Sequence, residues 1–70
     1  MAMISINNGM DFLNAHEAMP LIDERHLWDA VVSMMENDVR ERVHYELAPC
    51  SEEAFLSRYL EIAEEDLVIG

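Results

Sequence analysis

The sequence of 70 residues predicts a mainly α-helical fold: a compact bundle of three to four short helices, to which the chain ends can add a short two-stranded β-ribbon. Three observations predict it. Apolar residues recur at helical spacing through residues 27–63. Helix-capping residues and prolines divide that stretch into short segments. Residues 4–6 and 67–69 are rich in isoleucine and valine, as strands are. At this length we expect residues 1–70 to form a single acidic helical domain.

The N-terminal third has the weakest pattern. Ile4 and Ile6 alternate with polar residues as in a short strand, and residues 7–9 read as a turn. Asn8 is predicted to cap a short helix. Pro20 is predicted to end it.

The middle of the chain carries the clearest helical pattern. Asp23 is a suitable N-cap, with Glu24 in the first turn, where the helix dipole favours a negative charge. The apolar face that follows comprises Leu27, Trp28, Val31, Val32, Met34 and Met35. Asn37 and Asp38 are expected to break this helix or to bend it.

Two further helices are predicted in the C-terminal half. Val39, Val43 and Leu47 share one face of the first. Pro49 ends it, because the residue before a proline avoids the helical conformation. Two i,i+4 ion pairs are expected on its surface, Glu36 with Arg40 and Asp38 with Arg42. Ser51 is predicted to cap the last helix. The apolar face of that helix comprises Phe55, Leu56, Tyr59, Leu60, Ile62 and Ala63.

Charge is the strongest compositional signal. Fifteen acidic residues face four arginines and no lysine, which gives a net charge of −11. Direct binding to nucleic acid or to an anionic membrane is disfavoured, because both need a basic surface. The expected partner of such a surface is a basic protein surface.

Cellular location follows from two absences in the sequence. Cys50 is the one cysteine, so no internal disulfide can form, and we expect it to be a small buried residue. No apolar run approaches the ~20 residues that span a bilayer, and no secretory leader opens the chain. We expect a bacterial cytoplasm.

Catalytic and metal-binding patterns are weak. His16, His26 and His44 are scattered, and His26 with Asp29 is the one pair at ligand spacing on a helix. Cys50 has no adjacent base to activate it. With glycine only at positions 9 and 70, no phosphate-binding loop is present. We expect no enzymatic activity, no metal and no cofactor.

The acidic residues of the last helix are the candidate binding site. Several of them follow the apolar face to the helix C-terminus, where the dipole disfavours negative charge. Either the helix ends early and these side chains form a solvated face, or they form a functional surface. The candidate partner-binding residues are Glu52, Glu53, Glu61, Glu64, Glu65 and Asp66, with Asp29 and Glu36 as secondary contacts.

Methionine offers an alternative contact surface. Met1, Met3, Met10 and Met19 lie in the weakly patterned N-terminal third, and thioether side chains suit adaptable interfaces. Filling of the core is the competing interpretation. A methionine-rich contact would fit a regulatory, antitoxin-like accessory subunit, and self-association as a homodimer would fit a structural helical module.

Three segments of the C-terminal half resemble known sequences. Residues 36–41, 44–51 and 55–61 are similar to small acidic proteins of phages and conjugative elements of gut Firmicutes. In size, acidity and lack of a catalytic motif the chain also resembles anti-CRISPR and anti-restriction inhibitors. These resemblances imply an inhibitor of a nucleic-acid-binding defence enzyme, whose basic surface would belong to a Cas effector or another nucleic-acid-binding enzyme. Eleven charges equal those on about 19 Å of DNA duplex, so the magnitude permits mimicry of a nucleic acid.

Overall fold

A computed structural model of the protein describes residues 1–70. Four helices hold most of the chain, and one short strand lies at each end, which confirms the predicted fold class. In chain order the elements are β1 (Ile4–Ser5), α1 (Ala15–Arg25), α2 (Trp28–Met34), α3 (Asn37–Leu47), α4 (Glu52–Ile62) and β2 (Leu67–Val68). None of the helices is long and apolar enough to cross a membrane.

The strands pair in parallel, with Ile4 opposite Leu67. The Leu67 N–H donates to the Met3 carbonyl at 3.0 Å, and the Ile69 N–H donates to the Ser5 carbonyl at 2.8 Å. Parallel neighbours need a long crossover connection, and here all four helices form it. The predicted terminal pairing is therefore present, as two residues per strand.

The core lies around α4, against which α1 and α3 pack. Its fully buried large apolar side chains come from five different elements: Ile4, Ile22, Val31, Val43 and Leu56. The predicted apolar face of α4 is confirmed, with Phe55 and Ile62 half-buried at its margins and the other four members buried. The apolar face of α4 therefore lies in the core, while the acidic residues at both ends of the helix are exposed.

The first helix begins later than predicted. Asn8 caps no helix: it adopts a left-handed conformation with φ 51°, and residues 8 and 9 form a turn. The hydroxyl oxygen of buried Ser5 accepts the Gly9 N–H at 2.9 Å and stabilises that turn. The N-cap of α1 is Asn14, whose side chain accepts the Glu17 N–H at 2.8 Å in a capping box.

Pro20 lies inside α1 and does not end it. A proline in a helix removes the hydrogen bond to the carbonyl four residues earlier, that of His16. His16 and Pro20 are both exposed, so the lost bond lies on the solvent side of the helix. On the other side Met19 and Ile22 are buried in the core, and this burial holds the helix through the proline.

Asp23 is not the N-cap of the second helix, because α1 continues through it to Arg25. His26 ends α1 in the left-handed conformation, with its N–H bonded to the Asp23 carbonyl at 3.3 Å. The helix that follows starts at Trp28 and has no side-chain cap. Of its predicted apolar face, Met34 is 51% exposed and does not join the core.

The expected break at residues 37–38 occurs just before Asn37, between α2 and α3. Extended backbone at Glu36 separates the helices, and the Tyr59 hydroxyl accepts the Glu36 N–H at 2.7 Å. The third helix ends before Pro49, as predicted. Neither expected ion pair forms: Arg40 instead donates a hydrogen bond to the side-chain oxygen of Asn37.

The last helix begins as predicted and ends early. The Ser51 hydroxyl oxygen accepts the Ala54 N–H at 3.1 Å, which confirms the cap. Helical structure stops at Ile62, and Ala63 is extended, with ψ 145°. The acidic residues 64–66 therefore lie beyond the helix.

Candidate functional site

Every acidic residue of the chain is exposed to solvent. Only three of the fifteen lie within 4.0 Å of an arginine or histidine nitrogen: Glu46 and Glu61 near Arg58, and Glu53 near His16. The fold thus places the whole carboxylate surplus on its surface and neutralises little of it.

The predicted contact residues do not form one patch. They fall at opposite ends of α4, which at 1.5 Å per residue is about 16 Å long. The N-terminal acidic group, at the start of α4, comprises Glu52, Glu53 and Asp29. The C-terminal acidic group, at its end, comprises Glu61, Glu64, Glu65 and Asp66. Glu36 lies apart from both, just before α3.

The N-terminal acidic group lies where the helix dipole favours it. Glu52 and Glu53 occupy the first turn of α4. One carboxylate oxygen of Glu53 lies 3.3 Å from His16 Nδ1. Glu52 and Asp29 line the same shallow depression, together with Asp23. Three acidic residues, from α1, α2 and α4, therefore border this depression.

The C-terminal acidic group is partly engaged in holding the fold together. Arg58 lies between two carboxylates, 3.1 Å from Glu46 and 3.0 Å from Glu61. The hydrogen bond from Arg58 lowers the pKa of Glu46, and the reciprocal bond raises the pKa of Arg58. Asp66 accepts the backbone N–H of Met3 at 2.8 Å and so links the two chain ends. The side chains of residues 64 and 65 make no hydrogen bond or ion pair.

A groove that the sequence did not predict lies between α2, α3 and the start of α4. It has a volume of about 560 Å³. The rings of Trp28 and Phe55 meet edge to face in its wall, with centroids 6.4 Å apart and planes at 84°. The Tyr45 side chain, also in the lining, is 88% exposed. Tyr45 lies outside the helix face that Val39, Val43 and Leu47 share. In the sequence, this was the only indication that Tyr45 is not part of the core.

Cys50 and the methionines are distributed differently from the predictions. Cys50 is exposed at the groove and not buried, because it lies in the turn between α3 and α4. The four N-terminal methionines do not act as one set. Met19 is buried and Met3 half-buried, whereas Met1 and Met10 are 90% and 77% exposed. Some of these methionines therefore fill the core, and others are exposed at the surface.

The histidines remain separate in the fold. His26 lies beside Asp29 in the depression near Glu52, while His16 and His44 lie elsewhere. No three histidine, cysteine, aspartate or glutamate side chains come together in an arrangement that could hold a metal ion.

Comparison with known proteins gives one match. A family model described as "Anti-CRISPR protein AcrIC5" matches residues 22–65, which is more than half of the chain. The matched segment contains α2, α3 and α4 entire, together with every residue that lines the groove. Both strands lie outside it. No curated protein and no solved structure matches the chain.

Proposed function

From the premise that this chain belongs to the AcrIC5 family of anti-CRISPR proteins, we propose that its carboxylates occupy a basic, nucleic-acid-binding surface of a Cas protein or complex. Membership of the family makes the chain a CRISPR inhibitor that binds a Cas protein or complex. The proposal adds the surface that is blocked and the means of blocking it. The site of action is the cytoplasm of the bacterial host, where the Cas machinery works.

The exposed, largely unpaired carboxylates are the observation that carries this proposal. The molecule is 31 Å long and has a net charge of −11. A DNA duplex of that length has about 18 phosphate charges. The protein therefore has somewhat more than half of the average charge density of DNA, and its acidic groups concentrate that charge locally. Such a surface attracts a basic groove and steers association.

In this proposal, both ends of α4 contact the partner. We assign the contacts to Glu52, Glu53, Glu61, Glu64, Glu65 and Asp66, with Asp29 and Glu36 secondary. Glu61 and Asp66 are already engaged with Arg58 and with the Met3 N–H. Glu52, at the start of the helix, and Glu64 and Glu65, just beyond its end, consequently supply most of the free charge of these two groups.

Charge reversal tests the proposal. The variant with Glu61→Lys, Glu64→Lys and Glu65→Lys should bind its Cas complex at least tenfold more weakly, measured against a panel of purified Cas effectors. The control reverses three other exposed carboxylates, Asp11, Glu24 and Asp38, and so has the same net charge. Equal binding by wild type and the first variant would remove the C-terminal acidic group from the mechanism.

Salt titration tests the electrostatic basis separately. Wild-type affinity should fall steeply between about 50 and 200 mM salt, because screening weakens attraction between exposed charges. An affinity that hardly changes would contradict the proposal and favour an apolar contact.

A second candidate rests on the exposed apolar side chains of the N-terminal third. Met1, Met10 and Phe12 are 90%, 77% and 45% exposed. They would suit the contact of an accessory subunit or of a homodimer. Light scattering separates these cases, because a strictly monomeric chain excludes self-association. Loss of inhibition in the Met10→Ala variant at constant stability would favour the accessory subunit.

A further inference from the structure

The groove between α2, α3 and α4 exposes aromatic surface that is not packed against the rest of the protein. Trp28 and Phe55 are only half-buried, although their rings contact each other. Tyr45 packs on neither, and its side chain is 88% exposed. Aromatic side chains left open in a depression are typical of the centre of a protein-binding surface.

Carboxylates border the aromatic wall on two sides. Glu41 of α3 and Glu52 of α4 both line the groove. The adjoining depression shares Trp28 and Glu52 with it and adds the carboxylates of Asp23 and Asp29. The lining includes one arginine, Arg40, and its guanidinium is bonded to the Asn37 side chain. His44 and Ser51 complete the polar lining.

The combination of aromatic rings and carboxylates favours one kind of ligand in the groove over others. A purely apolar side chain would bury the flanking carboxylates without partners, which is unfavourable. A second copy of this chain is opposed by the repulsion between two molecules of charge −11. A guanidinium satisfies both parts of the groove, since its plane stacks on aromatic rings and its N–H groups bond carboxylates in pairs.

We propose, building on the proposed function, that the groove binds an arginine side chain from the basic surface of the Cas partner. The arginine stem lies along Trp28 and Tyr45, and the guanidinium bonds Glu52. A volume of about 560 Å³ accommodates the side chain with part of its flanking backbone. Every lining residue falls within the matched segment 22–65, so the groove belongs to the part of the chain that is similar to the family.

The isolated protein allows a direct test, because Trp28 is its one tryptophan. With 5-fluorotryptophan at position 28, a single ¹⁹F resonance reports on the groove. N-acetyl-arginine amide should shift this resonance saturably, while N-acetyl-citrulline amide, of the same length but uncharged, should not. Glu52→Gln should weaken the response at least fivefold. An equal response to both probes, or none to the arginine probe, would overturn the proposal.

The complex provides the second test. Tyr45→Ala and Glu52→Gln, both at exposed positions, should each weaken binding to the inhibited Cas complex at least tenfold. Met34→Ala removes an exposed apolar side chain and Glu24→Gln an exposed carboxylate. Neither residue lines the groove, and both variants should leave the affinity unchanged. Urea unfolding verifies that all four variants fold.

The outcomes separate the two proposals. Salt-sensitive binding that Tyr45→Ala leaves intact would overturn the role of the groove and leave the electrostatic inhibitor standing. Salt-insensitive binding that depends on Tyr45 would contradict the electrostatic inhibitor, and the ¹⁹F response to the arginine probe would still decide the occupant. A ¹⁹F shift on raising the concentration of the protein alone would identify a second copy as the occupant and overturn the arginine assignment.

Discussion

Carboxylates at the two ends of α4 lie in different electrostatic environments. At its start, Ser51 caps the helix and Glu52 lies in the first turn, where the helix dipole stabilises a carboxylate. At its end the dipole opposes a carboxylate. There Glu61 is held by Arg58, and Asp66 accepts a backbone N–H from the first strand region. The acidic residues between them fall beyond the helix.

Because of this difference, the number of carboxylates at one end of α4 is not the number that is free to bind a partner. Glu52 stabilises its helix through the dipole and keeps its oxygens free for a partner. Glu61 and Asp66 stabilise the fold through direct bonds, which occupy their oxygens. The end of α4 has more acidic residues, yet the start combines free carboxylates with an aromatic groove.

Neutralising each end in turn should give the largest difference. Asp29→Asn with Glu52→Gln should weaken binding to the Cas complex about tenfold or more, because the proposed arginine contact covers this end of α4 and removes its charge pairs from water. Glu64→Gln with Glu65→Gln should weaken it about two- to threefold, since those side chains are fully solvated and screened. Affinities at one fixed salt concentration provide the measurement, and the reverse order would contradict the comparison.

Removal of the N-cap should show how much the start of α4 contributes to stability. Ser51→Ala should lower the free energy of unfolding by about 1 kcal/mol, because the Ala54 N–H loses its acceptor. Ser57→Ala, at an exposed position inside α4, is the matched control and should cause no loss. Urea denaturation measures both. Equal stability of the two variants would show that the cap contributes nothing.

The Asp66 contact should be smaller but specific. Asp66→Ala removes the acceptor of the Met3 N–H and should lower the free energy of unfolding by about 0.5–1 kcal/mol. Glu65→Ala changes an adjacent carboxylate that makes no such bond and should stay within about 0.5 kcal/mol of wild type. Hydrogen exchange at Met3 would locate the effect: faster exchange in the first variant only is expected.

The smallest effect should be the pH dependence due to Arg58. Because this arginine lowers the pKa of Glu46 in the folded state, the pair stabilises the protein above the ordinary pKa of glutamate, ~4.3. That stability is lost as the pH falls through the lower, folded-state value. Arg58→Gln should flatten this acid limb of the stability curve, and added salt should weaken it. Arg25→Gln removes an arginine that contacts no carboxylate and should leave the limb unchanged.

Local signals explain why the C-terminal half of the fold could be predicted. Pro49 and Ser51 set the end of one helix and the start of the next by rules that span a few residues. In the N-terminal third, Asn8, Asn14 and Asp23 are all acceptable caps, so local rules do not choose among them. Burial of α1 against α4 makes the choice and carries the helix through a proline.

The candidate site divides in the same way. The acidic groups could be predicted because charge is visible in composition, but their separation depends on where α4 ends. It ends at Ile62 because the chain must extend at Ala63 to bring Leu67 beside β1. The groove could not be predicted, since its rings come from three helices and only tertiary packing brings Trp28 and Phe55 within 6.4 Å.

The parallel strand pair has a consequence for synthesis on the ribosome. The carbonyls of Met3 and Ser5 accept hydrogen bonds from the N–H groups of Leu67 and Ile69, and Ile4 lies opposite Leu67. Until residues 67–69 have emerged, the nascent chain therefore carries Ile4 without the partner that completes its burial, while α3 and α4, adjacent in sequence, can pack as soon as both emerge. Residues 67–69, made after all four helices, thus secure a segment that was made before them.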